Sequence, residues 1–408
     1  MQTIEEPIPP NIGAQPPIAT DFDFNGKTVF IRADLNVPAK DGVITDMTRI
    51  DRFVPTLKEI VEQGGRAVIA SHFGRPKGEK KPEFSMAFMV PAIEKASGLK
   101  VNFVDDCIGE KRDEAIRALN NGEVLLLENL RFYAGEEKND RDFAEQLASG
   151  IDIYINDAFS TAHRAHASTE GMAHLLPRGA GRLMQEELEA LDKALGNPVR
   201  PAVALVGGSK VSTKLDLLSN LVKKVDYLCI GGGMAHTFLA AKGIPMGEGS
   251  LVEPTMIDTA KSILANAGSC TIVLPEDLTW ADAFGEGQEA HVSDADKVPA
   301  GKVLMDIGPK SAEAFIDTIK KCKTLIWNGP VGCFEIKPFD KCTNEIAKAV
   351  AELTKAGLLT SVAGGGDTVS ALKKAGAEPD MTYVSAAGGA FLEWMEGKTL
   401  PGVAILEQ

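Results

Sequence analysis

Lys210 and Lys214 stand four residues apart in the stretch LVGGSKVSTKLDLL, directly after an apolar run and a Gly207-Gly208 break. Beyond Ser209, apolar residues fall at Val211, Leu215, Leu218, Val222 and Val225. That spacing predicts a helix with both lysines on one side of its first turns. Like charges at i, i+4 repel, and a helix start already carries roughly half a positive charge. The arrangement is poor for the helix alone and is explained by a bound anion. A second basic set lies nearer the N-terminus. It comprises Arg32, Asp34 and Asn36 in VFIRADLNVP, Arg49 in ITDMTRI, His72 and Arg75 in AVIASHFGRPKG, Arg131 in VLLLENLRF, and His163, Arg164 and His166 in IYINDAFSTAHRAHAS. Arginine forks suit phosphate and carboxylate oxygens, so these turns point to a small, multiply anionic ligand. Each residue also has a plainer reading: an arginine as a solvated charge, Asp34 and Asn36 as turn caps. His163 and His166 form a metal pair only if a third ligand exists. If a strand continued past Arg32, alternation would point Arg32, Asp34 and Asn36 one way.

The second half of the chain has glycine-rich turns: LCIGGGMAHTF, MDIGPKS, LIWNGPVGCFE, SVAGGGDTVSAL and VSAAGGAFLEWM. Glycine lets a backbone approach a ligand closely and present its amides to phosphates. Neither the G-x-x-x-x-G-K-[ST] loop nor a clean G-x-G-x-x-G fingerprint is present. Asp367, after three glycines, suits a helix N-cap, a ligand of nucleotide-borne Mg²⁺, or both. Glu335 suits a ribose hydroxyl.

These turns follow candidate strands at residues 28–32, 67–70, 124–127 and 151–155, then 202–206, 227–230, 271–274, 324–327, 359–363 and 382–384. Helical stretches lie between many of them, so an α/β class with mostly parallel sheets covered on both faces is expected. Ligands then bind beyond the carboxyl ends of the strands, where the turns lie. Met184, Leu188, Leu191 and Leu195 form a helical stripe stopped by Gly196-Asn197-Pro198. That helix either joins two α/β domains or belongs to one. A chain of 408 residues is long enough for two or three domains. Its net charge of −14 argues against a nucleic-acid binder with a broad basic surface, while a local basic pocket stays possible. Six cysteines without a C-x-x-C pair fit a reducing cytosol better than a disulfide or zinc framework. No run of about 18 apolar residues predicts a membrane span. Residues 1–20 carry five prolines and no signal-peptide pattern, and read as a flexible extension or a tail along the surface.

One half suits a small anion and the other a polyphosphate, the layout that phosphoryl transfer between two bound ligands needs. A two-domain dehydrogenase would share the fold class but needs a dinucleotide fingerprint. A two-lobed anion-binding protein needs no nucleotide half.

The motifs RADLNVP, SHFGRP, LLENLRF, NDAFSTAHRAHAS, GGSKVSTK, GGGMAHTF, WNGPVGCFE and GGGDTVSAL occur in this order. Together they resemble the phosphoglycerate kinase family from about residue 21 to the C-terminus. The resemblance implies two Rossmann-like three-layer domains joined by a hinge helix. Residues 21–183 would bind phosphoglycerate, 184–197 would join, 198–396 would bind nucleotide, and a tail, 397–408, would pack back on the first domain. It implies reversible transfer between 1,3-bisphosphoglycerate and MgADP, giving 3-phosphoglycerate and MgATP. Asp34, Leu35, Asn36, Arg49, His72, Phe73, Gly74, Arg75, Arg131 and Arg164 match the family's phosphoglycerate contacts. Lys210, Lys214, Asn328, Glu335, Gly365, Gly366, Asp367 and Thr368 match its nucleotide contacts, with Gly231, Gly232 and Gly233 near the base. Gly388 and Gly389 match backbone donors at the transferring group. Arg49 and Lys210 carry the catalytic charge, Asp367 holds Mg²⁺, and His163 and His166 support. A cytoplasmic monomer is the family expectation, with no nucleic-acid or membrane partner. The chain departs from the pattern at Ser160, where glycine is expected, and in its longer N-terminal extension.

Overall fold

The computed structural model describes residues 15–408. Contacts divide the chain into a first unit, ending at Leu188 and completed by Thr399–Gln408, and a second unit, Glu189–Lys398. The first unit is built on strands β1 (Thr28–Arg32), β4 (Arg66–Ala70), β5 (Val101–Val104), β6 (Val124–Leu127), β7 (Ile153–Asn156) and β8 (Arg178–Ala180), with a small hairpin, β2 (Ala39–Lys40) and β3 (Val43–Ile44). The six strands form one sheet in the order β5-β6-β4-β1-β7-β8, parallel throughout. The central strands TVFIR, VLLL and IYIN are buried along their whole length, as a sheet covered on both faces requires. Helix Thr48–Glu62 turns Ile50, Phe53, Leu57 and Ile60 inward onto this core.

The second unit holds β9 (Ala202–Val206), β10 (Tyr227–Ile230), β11 (Thr271–Val273), β12 (Asp277–Ala281), β13 (His291–Asp294), β14 (Val303–Ile307), β15 (Thr324–Asn328), β16 (Thr360–Gly364) and β17 (Tyr383–Ser385). Its main sheet, β11-β10-β9-β15-β16-β17, is again parallel. Beside it, β13-β12-β14 form an antiparallel sheet that periodicity did not predict. HVSD has one apolar residue and does not read as a strand, while DLTWA alternates polar and apolar residues but is only five residues long. β5 and β8 were also missed, the first because VNFV is exposed in its middle, the second because it is three residues long. No described helix is long and apolar enough to cross a membrane.

Two expectations need correction. The helix after Gly207-Gly208 starts at Leu215, with Lys214 at its N-cap, so Lys210 is not helical. Gly208 has φ of +137°, and Val211, fully buried, accepts a hydrogen bond from the Lys214 amide, which closes a turn before the helix. The Met184 stripe belongs to helix Arg182–Leu191 followed by one π turn, Asp192–Gly196, rather than one helix over 184–197. Within the Pro-rich extension, residues 1–14 lie outside the described residues. In the part that is described, Ile18 makes an isolated parallel bridge to Ala180, and the Ala180 amide donates to the Pro17 carbonyl at 2.7 Å, which lays this segment along β8. The tail, Thr399–Gln408, is fixed to the first unit by Gly402 N to Ala162 O at 2.8 Å and Arg178 Nε to Ile405 O at 2.7 Å.

Candidate active site

In the first unit, β6, β4, β1 and β7 are neighbours, so the turns after Leu127, Ala70, Arg32 and Asn156 meet at one edge. β1 ends at Arg32, and the expected alternation through Asn36 stops there. Arg32 is fully buried. Its guanidinium donates to Ser168 Oγ at 2.8 Å and the Ala33 carbonyl at 2.5 Å, and lies 3.1 Å from His72 Nδ1. Ser168 in turn donates to the buried Glu136 carboxylate at 2.6 Å. Because arginine keeps its protons, His72 Nδ1 is the acceptor of that contact and the ring proton sits on Nε2. Burial holds the His72 pKa well below its ordinary value, and Arg32, Arg131, Arg49 and His166 push the same way. His166 is likewise lowered to about 4, first by burial, then by Arg131, Arg32 and Arg164. Both rings are therefore neutral at pH 7 and face concentrated positive charge.

Asp34 holds Arg49 from the first turn of helix Thr48–Glu62. Arg49 Nη1 donates to Asp34 Oδ1 and the Asn36 carbonyl, both at 2.9 Å. Asp34 Oδ1 also accepts the Asn36 amide at 3.1 Å, so the turn-cap reading and the functional one coincide. Asn36 Oδ1 accepts the Gly74 amide at 3.0 Å and ties this loop to the one after β4. Gly74 has φ of +63°, and a Cβ there would lie 2.5 Å from the Phe84 ring. Leu35 is fully buried, and Phe73 packs on Phe84 and Phe88, so these two side chains support the loops from below. Asn129, fully buried, donates to the carbonyls of Phe73 and Phe84 and accepts the Arg131 amide. Arg75, Arg131 and Arg164 have no side-chain partner among the described residues, and the Arg131 Nε is buried without one. Burial and Arg32 lower the Arg131 pKa, with Arg164 adding to them and Glu137 and Glu136 opposing. Unpaired guanidinium groups beside neutral imidazoles make a cradle for an anion.

In the second unit a cleft of about 210 Å³ is lined by Gly208, Gly232, Gly233, Leu251, Pro330, Val331, Glu335 and Asp367. Its floor is backbone: a Cβ on Gly207 would lie 1.8 Å from the Pro330 carbonyl, and one on Gly232 would lie 2.6 Å from the Gly208 carbonyl. Lys214 runs back over Gly208, and its Nζ donates to Asn328 Oδ1 at 2.6 Å. Burial lowers its pKa to about 8, with Asp367 opposing. Asn328 Nδ2 donates to the Gly364 carbonyl, and Thr368 Oγ1 accepts the Gly329 amide, so both side chains are partly committed to the scaffold. Lys210 and Glu335 are exposed, as is Asp367. Gly365 is the N-cap of helix Gly366–Ala375, so Asp367 is not the cap and lies in the first turn. The turn bearing Lys210 is held by Glu253, whose carboxylate accepts the Ser212 amide at 3.1 Å and the Ser212 hydroxyl. Gly388 has φ of +49° and precedes helix Gly389–Met395. It does not line the cleft.

The phosphoglycerate kinase family profile matches residues 19–398. Phosphoglycerate kinase of Rhizobium meliloti is 58% identical over 95% of this chain and 97% of its own length. That of Ruegeria pomeroyi is 57% identical over 95% and 98%. The chain belongs to the phosphoglycerate kinase family. The phosphoglycerate kinase structure from Coxiella burnetii superposes with a TM-score of 0.89 at 42% identity, covering 96% of this chain and 98% of that one. The one from Pyrococcus horikoshii gives 0.77 at 31%, covering 95% and 98%. The activity is therefore reversible phosphoryl transfer between 1,3-bisphosphoglycerate and ADP, giving 3-phosphoglycerate and ATP, in a family that uses MgATP. The dehydrogenase and anion-binding alternatives fall with this assignment.

Sequence reasoning for a phosphoglycerate kinase missed the supports. Asn129, Glu136, Ser168 and Glu253 hold the site from behind through hydrogen bonds that span 32 to 136 residues of sequence, and no spacing pattern signals them. Asn129 does sit inside the LLENLRF motif, where a buried polar residue after an apolar strand is a usable signal.

Proposed function

We propose that the basic cradle of the first unit holds 3-phosphoglycerate and that the glycine-lined cleft of the second holds the nucleotide. Residues 21–183 and 198–396 are then the phosphoglycerate and nucleotide domains, with 184–197 the joint. The observation that carries this is the group Arg131, Arg164, His72 and His166, close enough for the arginine charges to lower the imidazole pKa values. Arg131 and Arg164 make no ion pair among the described residues, and the His72 proton is on Nε2. Arg75 stands three residues beyond His72 in the loop after β4. Such a group set offers donors to a phosphate and a carboxylate without needing any proton change at pH 7.

The acceptor of the reverse reaction is a carboxylate, ionised far below pH 7 because such groups have pKa values of about 3.5. No general base is required. What the transfer demands is positive charge around the phosphoryl group in flight and exclusion of water. Arg49, fixed by Asp34, supplies that charge from one unit. Lys210, exposed on the Glu253-braced turn and without a side-chain hydrogen bond or ion pair among the described residues, supplies it from the other. Lys214 reaches nucleotide phosphates by leaving Asn328. The amides at Gly388 and Gly389 donate to phosphoryl oxygens. Keeping the two cations on separate units limits hydrolysis of ATP when the phosphoglycerate is absent.

Asp367 suits a Mg²⁺ ion carried by the nucleotide: its carboxylate is exposed at the cleft and takes no hydrogen bond from the described residues. Among those residues no cluster of three or more His, Cys, Asp or Glu side chains could hold a metal by itself, which fits an ion shared with phosphate oxygens. When bound, the ion neutralises charge on the nucleotide phosphates. In this reading the enzyme works as a cytoplasmic monomer, with its cysteines free. The test is incubation with MgATP and 3-phosphoglycerate, trapping acyl phosphate as hydroxamate, with Arg131→Ala and Lys210→Ala beside the parent. Mg²⁺-dependent hydroxamate from the parent, with weakened phosphoglycerate binding only in the first variant, supports the assignment. Unchanged phosphoglycerate binding in Arg131→Ala refutes it.

A further inference from the structure

Ser160 stands in the short turn Phe159–Thr161, where the family resemblance predicts glycine. It is not among the non-glycine residues with positive φ, which are Asp41, Lys77 and Asn139, so the backbone has no need of glycine there. Its hydroxyl is turned onto the site instead. Ser160 Oγ donates to Asp34 Oδ2 at 2.5 Å, while Asp34 Oδ1 accepts Arg49 Nη1 at 2.9 Å and the Asn36 amide at 3.1 Å. Both oxygens of a nearly buried carboxylate are thereby engaged.

The consequence follows from the torsion of that carboxylate. Aspartate χ2 is broad and roughly two-fold, so a carboxylate held at one oxygen swings. Held at both, it has one orientation. Arg49 has a long, one-third-exposed side chain whose only carboxylate partner among the described residues is Asp34. We propose that Ser160 is a positioning residue that acts through Asp34 to fix the guanidinium of Arg49 for phosphoryl transfer. The inference rests on the charge-stabilising role given to Arg49 above. The strand ends make it possible: Asp34 follows β1 and Ser160 follows β7, which are paired in parallel from Val29–Ile153 to Arg32–Asn156. The residue pair, 126 positions apart in sequence, is thus brought together by sheet register.

Removing the hydroxyl leaves Oδ2 of the nearly buried Asp34 without its donor. A hydrogen bond to a charged group lost in this way is expected to lower kcat/KM for 3-phosphoglycerate by about tenfold. KM for MgATP stays as it was, because nothing in the triad touches the nucleotide cleft. The experiment is a double-mutant cycle of Ser160→Ala and Arg49→Ala, read as kcat/KM for 3-phosphoglycerate, with Ser160→Thr as the conservative variant. The expected result is a tenfold loss in Ser160→Ala, near-parent kinetics in Ser160→Thr, and little further loss when Ser160→Ala is added to Arg49→Ala. An equal loss in both backgrounds overturns the proposal, since Ser160 would then act on the substrate or on folding without Arg49. Full activity of Ser160→Ala also overturns it. If Arg49→Ala itself is fully active, the role given to Arg49 fails, and that outcome is separate from a silent Ser160. Should Ser160→Ala not fold, Ser160→Thr and Ser160→Gly in both backgrounds give the same comparison.

Discussion

Replacing Arg131 with methionine separates binding from folding more sharply than any other change at the cradle. The side chain has no hydrogen bond or ion pair among the described residues, its Nε is buried, and burial together with repulsion from Arg32 and Arg164 outweighs the attraction of Glu137 and Glu136. In the free protein this charge is a liability. Methionine fills similar space without charge, so Arg131→Met is expected to leave Tm unchanged or to raise it. Bound 3-phosphoglycerate reverses the sign. A hydrogen bond to a charged group contributes about 1.5–3 kcal/mol, and each 1.4 kcal/mol is tenfold, so KM for 3-phosphoglycerate rises about 10- to 150-fold. KM for MgATP is expected to stay put, because Arg131 is far along the chain from the cleft residues and belongs to the other unit. Steady-state kinetics with each substrate varied, together with thermal denaturation of the free protein, measure all three quantities. A variant that lost several degrees of Tm along with affinity would show Arg131 to be a structural residue and would refute the reasoning. So would an unchanged KM for 3-phosphoglycerate.

Lys214, lowered to about 8 by burial, is partly deprotonated at pH 8.5 in the free protein. Nucleotide phosphates beside it raise that pKa, so binding of MgADP at pH 8.5 takes up protons; calorimetry in buffers of different ionisation enthalpy measures the uptake, and Lys214→Met is expected to abolish it. His236, buried and lowered to about 4, accepts the Leu251 amide through Nδ1 at 3.0 Å. The unfolded chain takes a proton near pH 6.5 and the folded one does not, so stability falls as pH drops from about 6.5 to about 4, by about 3 kcal/mol from this group. His236→Asn, which keeps an acceptor and does not titrate, is expected to lose less stability over that window in urea denaturation; an equal loss would remove His236 from the account.

The parallel sheets were legible because their strands are short apolar runs, and every expected strand is present, with ends shifted by at most two residues. The site residues were legible because each follows a strand end, and basic or glycine-rich turns stand out against apolar runs. What the sequence hid depends on contacts made only after folding. Arg32 reads as a ligand contact beside Asp34 but is sunk against Ser168 and His72, because β1 stops at Arg32 itself. Lys210 and Lys214 read as a helical pair, yet buried Val211 closes a turn that puts only Lys214 at the helix start. Of the antiparallel strands, β13, HVSD, has a single apolar residue and shows no period, whereas DLTWA and VLMDI carry apolar residues that were legible as strands but were not read as such. Ser160 was noticed as a departure, and its partner, Asp34, became visible only through the pairing of β1 with β7.

The central claim is that Lys210 supplies charge to the phosphoryl group in flight, without shaping the nucleotide site. The direct test is kcat of Lys210→Ala with both substrates saturating, beside the dissociation constant of MgADP. The account predicts a kcat lowered by at least about 100-fold, the scale of one lost preorganised charge partner, with MgADP binding changed far less. A near-normal kcat, or a loss seen only in nucleotide affinity, would contradict it.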